Sequence, residues 1–311
     1  MSHSRQPAGL PTAYGGGTSA AKKRSVLRDI LAIGGAQVAP TTYDALTAAI
    51  VEEQGFSLLH FSGYYASAAT AAVPDIGLLS LAEMVAACRR VCMRSNVPVI
   101  ADGDDGYGGP LQAFRTVREY ESVGASGIHL EDQTSPKRCG LMAGKTVIPT
   151  EAMCEKIAAA AEARSDPNFL IIGRTDARQP EGLDAAIQRA NAYREAGADV
   201  SLVEEPQSVD EIKTILNEVP GPHIGGWSAF GLTASLSRTD LEQLGYAIVF
   251  FVDGPLAVHR TYSDIHRILA ESGSTRPLRE SMSSYEVMND SMQLSAWRDI
   301  ETSVQRKSSR V

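Results

Sequence analysis

The 311-residue sequence predicts an α/β chain folded as a (β/α)8 barrel, a TIM barrel, with a helical extension at its C-terminal end. Three observations carry that expectation. Eight short apolar runs alternate with amphipathic helical stretches. The runs are apolar almost throughout, as strands are when both faces of a parallel sheet are covered. No GxGxxG opens a helix after the first run, which argues against the runner-up, an open doubly wound sheet.

Residues 1–23 read as a flexible Gly/Ser/Pro/Ala leader without the apolar core of a secretory signal. The barrel is expected over 24–272, beginning with strands AQVAP (36–40) and SLLHF (57–61), the second ending in Ser62-Gly63-Tyr64. A helix at 81–95 then leads to PVIAD (98–102), which ends in Asp102 followed by Asp104 and Asp105. GIHLE (127–131) ends in Glu131-Asp132, and FLIIGRT (169–175) carries Arg174 with Asp176 beyond it. After a helix at 182–198 come DVSLVEE (199–205), ending in Glu204-Glu205, and PHIGG (222–226), leading to Gly225-Gly226-Trp227. AIVFFVD (247–253) closes the set. Active sites in this fold collect at the C-terminal ends of the strands, and here those ends carry carboxylates and hydrogen-bonding groups. The polar helical turns of 273–311 are too short for a domain, so they are expected to pack at a subunit interface.

Composition excludes several classes. A net charge of −8 argues against a nucleic-acid partner. The longest apolar runs, such as 247–252, are too short to span a bilayer. Four cysteines without CxxC or Cys/His clustering suggest neither a disulfide framework nor zinc, and the expected setting is the reducing cytoplasm. Cys88 and Cys92, one helical turn apart, read as small core residues.

In ADGDDGYGG (101–109) the pair Asp102 and Asp104 is expected on one side of an extended chain. Hard oxygen ligands that leave positions to water and substrate suit Mg2+ or Mn2+ better than zinc, with Glu131 completing the site directly or through water. Such a metal suits a 2-oxo or 2-hydroxy acid. Arg174 offers a planar fork for its carboxylate, and Ser62 with the amides of Gly63 and Tyr64 offers further donors. Cys139 lies between Lys137 and Gly140, with Arg138 adjacent, so its thiolate is expected to be stabilised. The alternative is a solvated basic loop whose cysteine is incidental.

YDAL (43–46), VPDIG (73–77), DGDDGYG (102–108), GIHLEDQ (127–133), PKRCG (136–140) and GRTDAR (173–178) together resemble the isocitrate lyase/phosphoenolpyruvate mutase superfamily, in the branch of 2-methylisocitrate lyase, 2,3-dimethylmalate lyase, oxaloacetate hydrolase and carboxyphosphonoenolpyruvate mutase. The similarity runs from about Leu27 to Gly273. It implies a Mg2+-dependent lyase that cleaves a carbon–carbon bond of a 2-hydroxy carboxylic acid, in a homodimer or homotetramer. Asp102 and Asp104 would hold the metal, with Asp75 and Glu131 in the outer shell. Cys139 would protonate the departing carbanion, with Lys137, Arg174 and Glu131 as further catalytic groups. Tyr43, Ser62, Gly63, Tyr64, Asp102, Gly140, Leu141, Arg174, Glu204, Gly226 and Trp227 would contact substrate.

Four positions depart from that branch. Leu141 stands where the lyases carry His after Cys-Gly, Gly226 and Ala229 replace an Asn and a Glu, and Asp105 replaces a Thr. These changes leave the oxo-acid half intact and strip polar groups from the second half, where Trp227, Phe230 and Leu141 gather. The leading reading is therefore a lyase with a less polar second product. Alternatives are an oxaloacetate-type hydrolase, a carboxyphosphonoenolpyruvate mutase-like biosynthetic enzyme, and a non-catalytic carboxylate-binding homologue. Retention of Asp102, Asp104 and Cys139 argues against the last. The mutase branch that makes phosphonopyruvate lacks this cysteine.

Overall fold

The computed structural model describes residues 10–12 and 17–308. Most of the expected leader, 1–9 and 13–16, lies outside the described residues, as do 309–311. Thr12 is tied down: its amide donates to Gln293 Oε1 at 2.9 Å, and its hydroxyl accepts from Asn96 and Gln293. Helix Ala20–Ile33 begins before the expected boundary because Ser19 caps it, its hydroxyl accepting from the Lys22 amide.

Eight parallel strands form the barrel: β1 Gln37–Thr42, β2 Leu59–Phe61, β3 Val99–Asp102, β4 Gly127–Glu131, β5 Leu170–Thr175, β6 Val200–Val203, β7 Ile224–Trp227 and β8 Ile248–Phe251. The pairing runs β6-β5-β4-β3-β2-β1-β8-β7. Between β6 and β7 the ring closes through the single bridge Ser201–His223, with the Ser201 amide donating to the Pro222 carbonyl at 3.1 Å.

Side chains alternate along each strand, so every second residue enters the lumen. Its lower layers are aliphatic, including Leu58, Ile100, Leu170, Ile172, Val200 and Ile248. Leu27 and Ile30 of helix Ala20–Ile33 join this cluster, and Arg24 and Arg28 bond carbonyls just before β4 and β5. That helix therefore plugs the N-terminal end, leaving the other end for chemistry. The opposite strand faces, such as Leu59, Phe61, Ala101, Ile128 and Leu130, pack beneath the surrounding helices.

Alternation also separates neighbours in sequence. Glu131 turns into the lumen, while Asp132 turns outward and is fully buried. Asp132 accepts from Thr175 Oγ1 and Tyr193 OH, both at 2.7 Å, and from the Asp176 amide at 2.9 Å, with Arg189 at 3.5 Å.

After β8, helix Gly254–Ser272 buries only Pro255, and helices Tyr285–Ser291 and Leu294–Ser308 follow. Tyr262, Tyr285 and Trp297 are exposed. Among the described residues no helix is long and apolar enough to cross a membrane.

Asp132→Ala removes at once the acceptor of two buried hydroxyls and a backbone amide, while Arg189 keeps its pair with Glu181. It should cost about 3–5 kcal/mol, at roughly 1–3 kcal/mol for each buried donor left unpaired, read as a shifted midpoint in urea unfolding with an unchanged slope.

Candidate active site

The strand ends open into a cavity of about 790 Å3, reached by residues of β2 to β8 and by the loop at 134–146. Parallel register places Glu131 beside Arg174 and Asp102 beside His129. Four carboxylates are buried here: Asp75, Asp102, Asp104 and Glu131, each no more than 7% exposed.

Lys137 holds two of them together. Its ammonium lies 2.5 Å from Asp75 Oδ1 and 2.6 Å from Asp104 Oδ1, and it is itself 4% exposed. Burial opposes its charge, but Asp104, Glu131, Asp102 and Asp75 outweigh burial and keep it protonated. The expectation that Lys137 stabilises the Cys139 thiolate is thus corrected: the ammonium turns away, into the carboxylates. Arg138 is exposed, its guanidinium reaching the Ala143 carbonyl. Burial instead pushes the half-buried Cys139 thiol up to about 11, with Asp75 adding to it and the Leu141 amide opposing. At neutral pH the thiol keeps its proton.

Asp102 and Asp104 do not sit on an extended chain. Asp104 adopts φ of +48°, and its amide donates to Asp102 Oδ1 at 3.0 Å. Tyr107 donates to Asp104 Oδ2 at 2.8 Å. Asp105 faces its own turn, accepting from the Tyr107 amide. Burial raises the Asp104 carboxyl to about 6; Lys137 opposes the rise, while Asp102 and Asp75 add to it.

No three carboxylate, imidazole or thiol groups converge for direct metal coordination among the described residues. The surroundings nevertheless suit a hard cation. Glu131 Oε1 is buried without a hydrogen-bond partner, and its carboxyl is pushed well up by burial. Four crowded carboxylates face one ammonium, a charge excess that a largely hydrated Mg2+ would relieve.

Arg174 spends Nε and Nη2 on Asp176, at 2.9 and 3.0 Å, with Glu131 at 3.4 Å and Glu204 at 3.7 Å. Its fork is thus filled by protein, leaving Nη1 as the nitrogen not spent on these acids. The Gly63 amide donates to Asp102 Oδ2 at 3.0 Å, so it is engaged by a side chain rather than open to a ligand. Ser62 and Tyr64 do line the cavity, as do Gly140, Leu141, Glu204 and Gly226.

Tyr43 and Trp227 do not line it. Tyr43 stands behind Tyr65, ring centroids 6.2 Å apart. Trp227 follows the inward Gly226, so alternation turns it outward, where its indole donates to the Leu236 carbonyl. Period two in the strand contains that signal.

The polar and titratable lining residues that sequence reasoning missed include His60, His129, Tyr65 and Asp253. His60 precedes Ser62 by two and His129 precedes Glu131 by two, so each lies one layer beneath a rim residue. His60 contacts Thr41 Oγ1 and His129 Nε2, both at 3.2 Å, and His129 lies 3.6 Å from Asp102. Burial lowers His60 to about 3 and His129 to about 4, so both are neutral.

The loop is pinned from three sides. The Gln133 side chain bonds both the amide and the carbonyl of Arg138, at 2.9 and 2.8 Å. The Cys139 amide donates to the Asp75 carbonyl at 2.9 Å. Lys145, fixed by Asp176 and Glu205, donates to the Gly140 carbonyl.

Residues 27–271 match the phosphoenolpyruvate phosphomutase family. The chain is 38% identical to 2,3-dimethylmalate lyase of Eubacterium barkeri over 276 residues, 88% of this chain and 96% of that protein. It superimposes on oxaloacetate acetylhydrolase in complex with 3,3-difluorooxalacetate with a TM-score of 0.85 at 28% identity, covering 92% of this chain and 97% of the other. Phosphonopyruvate hydrolase in complex with oxalate and Mg2+ gives 0.81 at 29% identity, covering 90% and 98%.

Gly140 permits the loop's approach, because a Cβ there would lie 2.5 Å from Arg174 Nη2. Gly140→Ala should lift the loop and cut turnover by about 10²-fold, the scale of an ångström's misplacement, while the melting temperature stays unchanged. Turnover equal to the parent's would show that loop contact is dispensable.

Proposed function

The chain belongs to the phosphoenolpyruvate phosphomutase family, and from that premise we propose that it is a carbon–carbon lyase acting on a 2-hydroxy carboxylic acid. The products would be a 2-oxo acid and a second carboxylic acid. One observation supports this reading above the others: a protonated thiol on a pinned loop faces the same cavity as an unpartnered carboxylate oxygen and a buried guanidinium.

Asp102 and Asp104 would hold Mg2+, with Asp75 and Glu131 around it. When bound, the metal would supply Lewis-acid stabilisation of the oxygen that becomes the oxo group. Arg174 Nη1 and the Ser62 hydroxyl would orient the oxo-acid carboxylate. Glu131 takes the hydroxyl proton, since burial makes its carboxylate a stronger base than an exposed one. The bonding pair of the cleaved C–C bond passes to the departing carbon, and Cys139 gives that carbon its proton. The thiolate and the Glu131 carboxylic acid then return to their starting states by proton exchange with solvent.

A thiol held near 11 suits this donor role differently from a cation-tuned one. It is fully protonated at neutral pH, and the carbanion it meets is a far stronger base. Because the acid must carry its proton, activity is present below the thiol's pKa and lost as pH rises through it.

Cys139→Ser should lower turnover by ~10²–10⁴, as loss of a general acid does. In the parent, the alkaline limb assigned to this group should fall near pH 11 rather than near the ordinary thiol value of about 8.5. Parent-like turnover of the serine variant would remove Cys139 from the mechanism.

A further inference from the structure

The cavity is chemically two-sided. On the β2–β5 side stand Asp75, Asp102, Glu131, Lys137 and Arg174. Across the barrel, on the β6–β8 side, the wall is made of Leu202, Leu232, Phe250, Val252 and Leu256, with Phe230 and the loop's Leu141 at the mouth. Phe230 is 67% exposed and Leu141 69%, so both present apolar surface without a protein neighbour covering it. Gly226, at the centre of this side, has nothing within 4 Å of where a Cβ would stand.

Charge on this side is of one sign. Among the described residues lining the cavity, Lys137 and Arg174 are the only Lys or Arg side chains, and both are bound to acids across the way. The apolar side carries Glu204, Glu205 and Asp253. Asp253 accepts from Ser228 Oγ at 2.9 Å and from the Ala229 amide, so local donors there are already spent. Glu205 is matched by Lys145 at 2.9 Å and Glu204 lies 3.7 Å from the Asp176-bound Arg174, so a further ligand carboxylate would meet acids and no unmatched cation. At about 790 Å3 the space falls in the upper part of the ~300–1,000 Å3 range that holds drug-sized ligands.

We propose that the substrate is a malate-type acid carrying an extended apolar chain on the carbon that becomes the carbanion, and that the β6–β8 side houses this chain and rejects a third carboxylate. The inference rests on the lyase reading above. Cleavage between C2 and C3 transfers the C2 hydroxyl proton to Glu131. It leaves the electron pair on C3, conjugated with its own carboxylate, and takes the Cys139 proton there. The products are then a 2-oxo acid and a linear monocarboxylic acid.

The test is a panel of 2-methyl-3-alkylmalates with methyl, propyl and hexyl chains, together with 2-methylisocitrate, assayed for pyruvate release with Mg2+. The ratio kcat/KM should rise about fourfold per added methylene, the value of burying one CH2. 2-Methylisocitrate should be at least about 10²-fold poorer than the hexyl compound, since unpaired like charges cost several kcal/mol. Phe230→Arg, at an exposed position that folding does not use, should reverse part of that preference by supplying a cation. If 2,3-dimethylmalate is cleaved but chain length has no effect, or if 2-methylisocitrate is the better substrate, this inference is overturned and the lyase reading stands. Pyruvate from no member of the panel overturns both.

Discussion

The site depends on one buried ammonium. Lys137 belongs to the loop, while Asp104 belongs to the turn after β3 and Asp75 to the segment after helix Gly63–Ala71, and the two carboxylates lie within 2.6 Å of it. Without that charge, carboxylates of like sign would face one another in a region of low dielectric, where repulsion is weakly screened. With it, the loop is tied electrostatically to the acids that would hold Mg2+. The loop's position and the metal site are therefore one arrangement. The amides of Arg138 and Cys139, bonded to Gln133 and to the Asp75 carbonyl, complete the attachment.

That arrangement changes what Cys139 is. A thiol beside two cations in sequence suggests a thiolate. In space Lys137 is consumed by acids and Arg138 reaches the Ala143 carbonyl, and desolvation leaves a thiol that holds its proton. Linear adjacency was misleading because residues next to each other in an extended loop point in different directions. A proton donor to a carbanion needs the proton present more than it needs acidity, so the geometry is compatible with the proposed donor role by a route that spacing does not reveal.

Much of the barrel was legible. Apolar runs gave all eight strands, and acids at their ends marked the rim, because a parallel sheet covered on both faces leaves polar groups few other places. Less legible was which rim residue turns inward. Gly226 and Trp227, or Glu131 and Asp132, are neighbours with opposite fates, decided by strand parity. The same parity would have found His60 and His129, one layer below Ser62 and Glu131. Asp253 and Tyr65 follow from no local motif; their place in the cavity depends on how β8 and helix Gly63–Ala71 meet in space. The engagement of Arg174 with Asp176 was hidden for a related reason: Arg174-Thr175-Asp176 puts both charges on one side of the strand, where they pair.

The most direct test of the central claim is amide hydrogen exchange across residues 134–146 in Lys137→Met, compared with the parent without added ligand. If the ammonium ties the loop to Asp75 and Asp104, the amides of Arg138 and Cys139 should lose at least about tenfold in protection while the barrel strands keep theirs, since local opening is governed by local contacts. Parent-like protection of those two amides would show that Gln133 and Lys145 suffice to hold the loop, and that Lys137 is not the interaction on which the site depends.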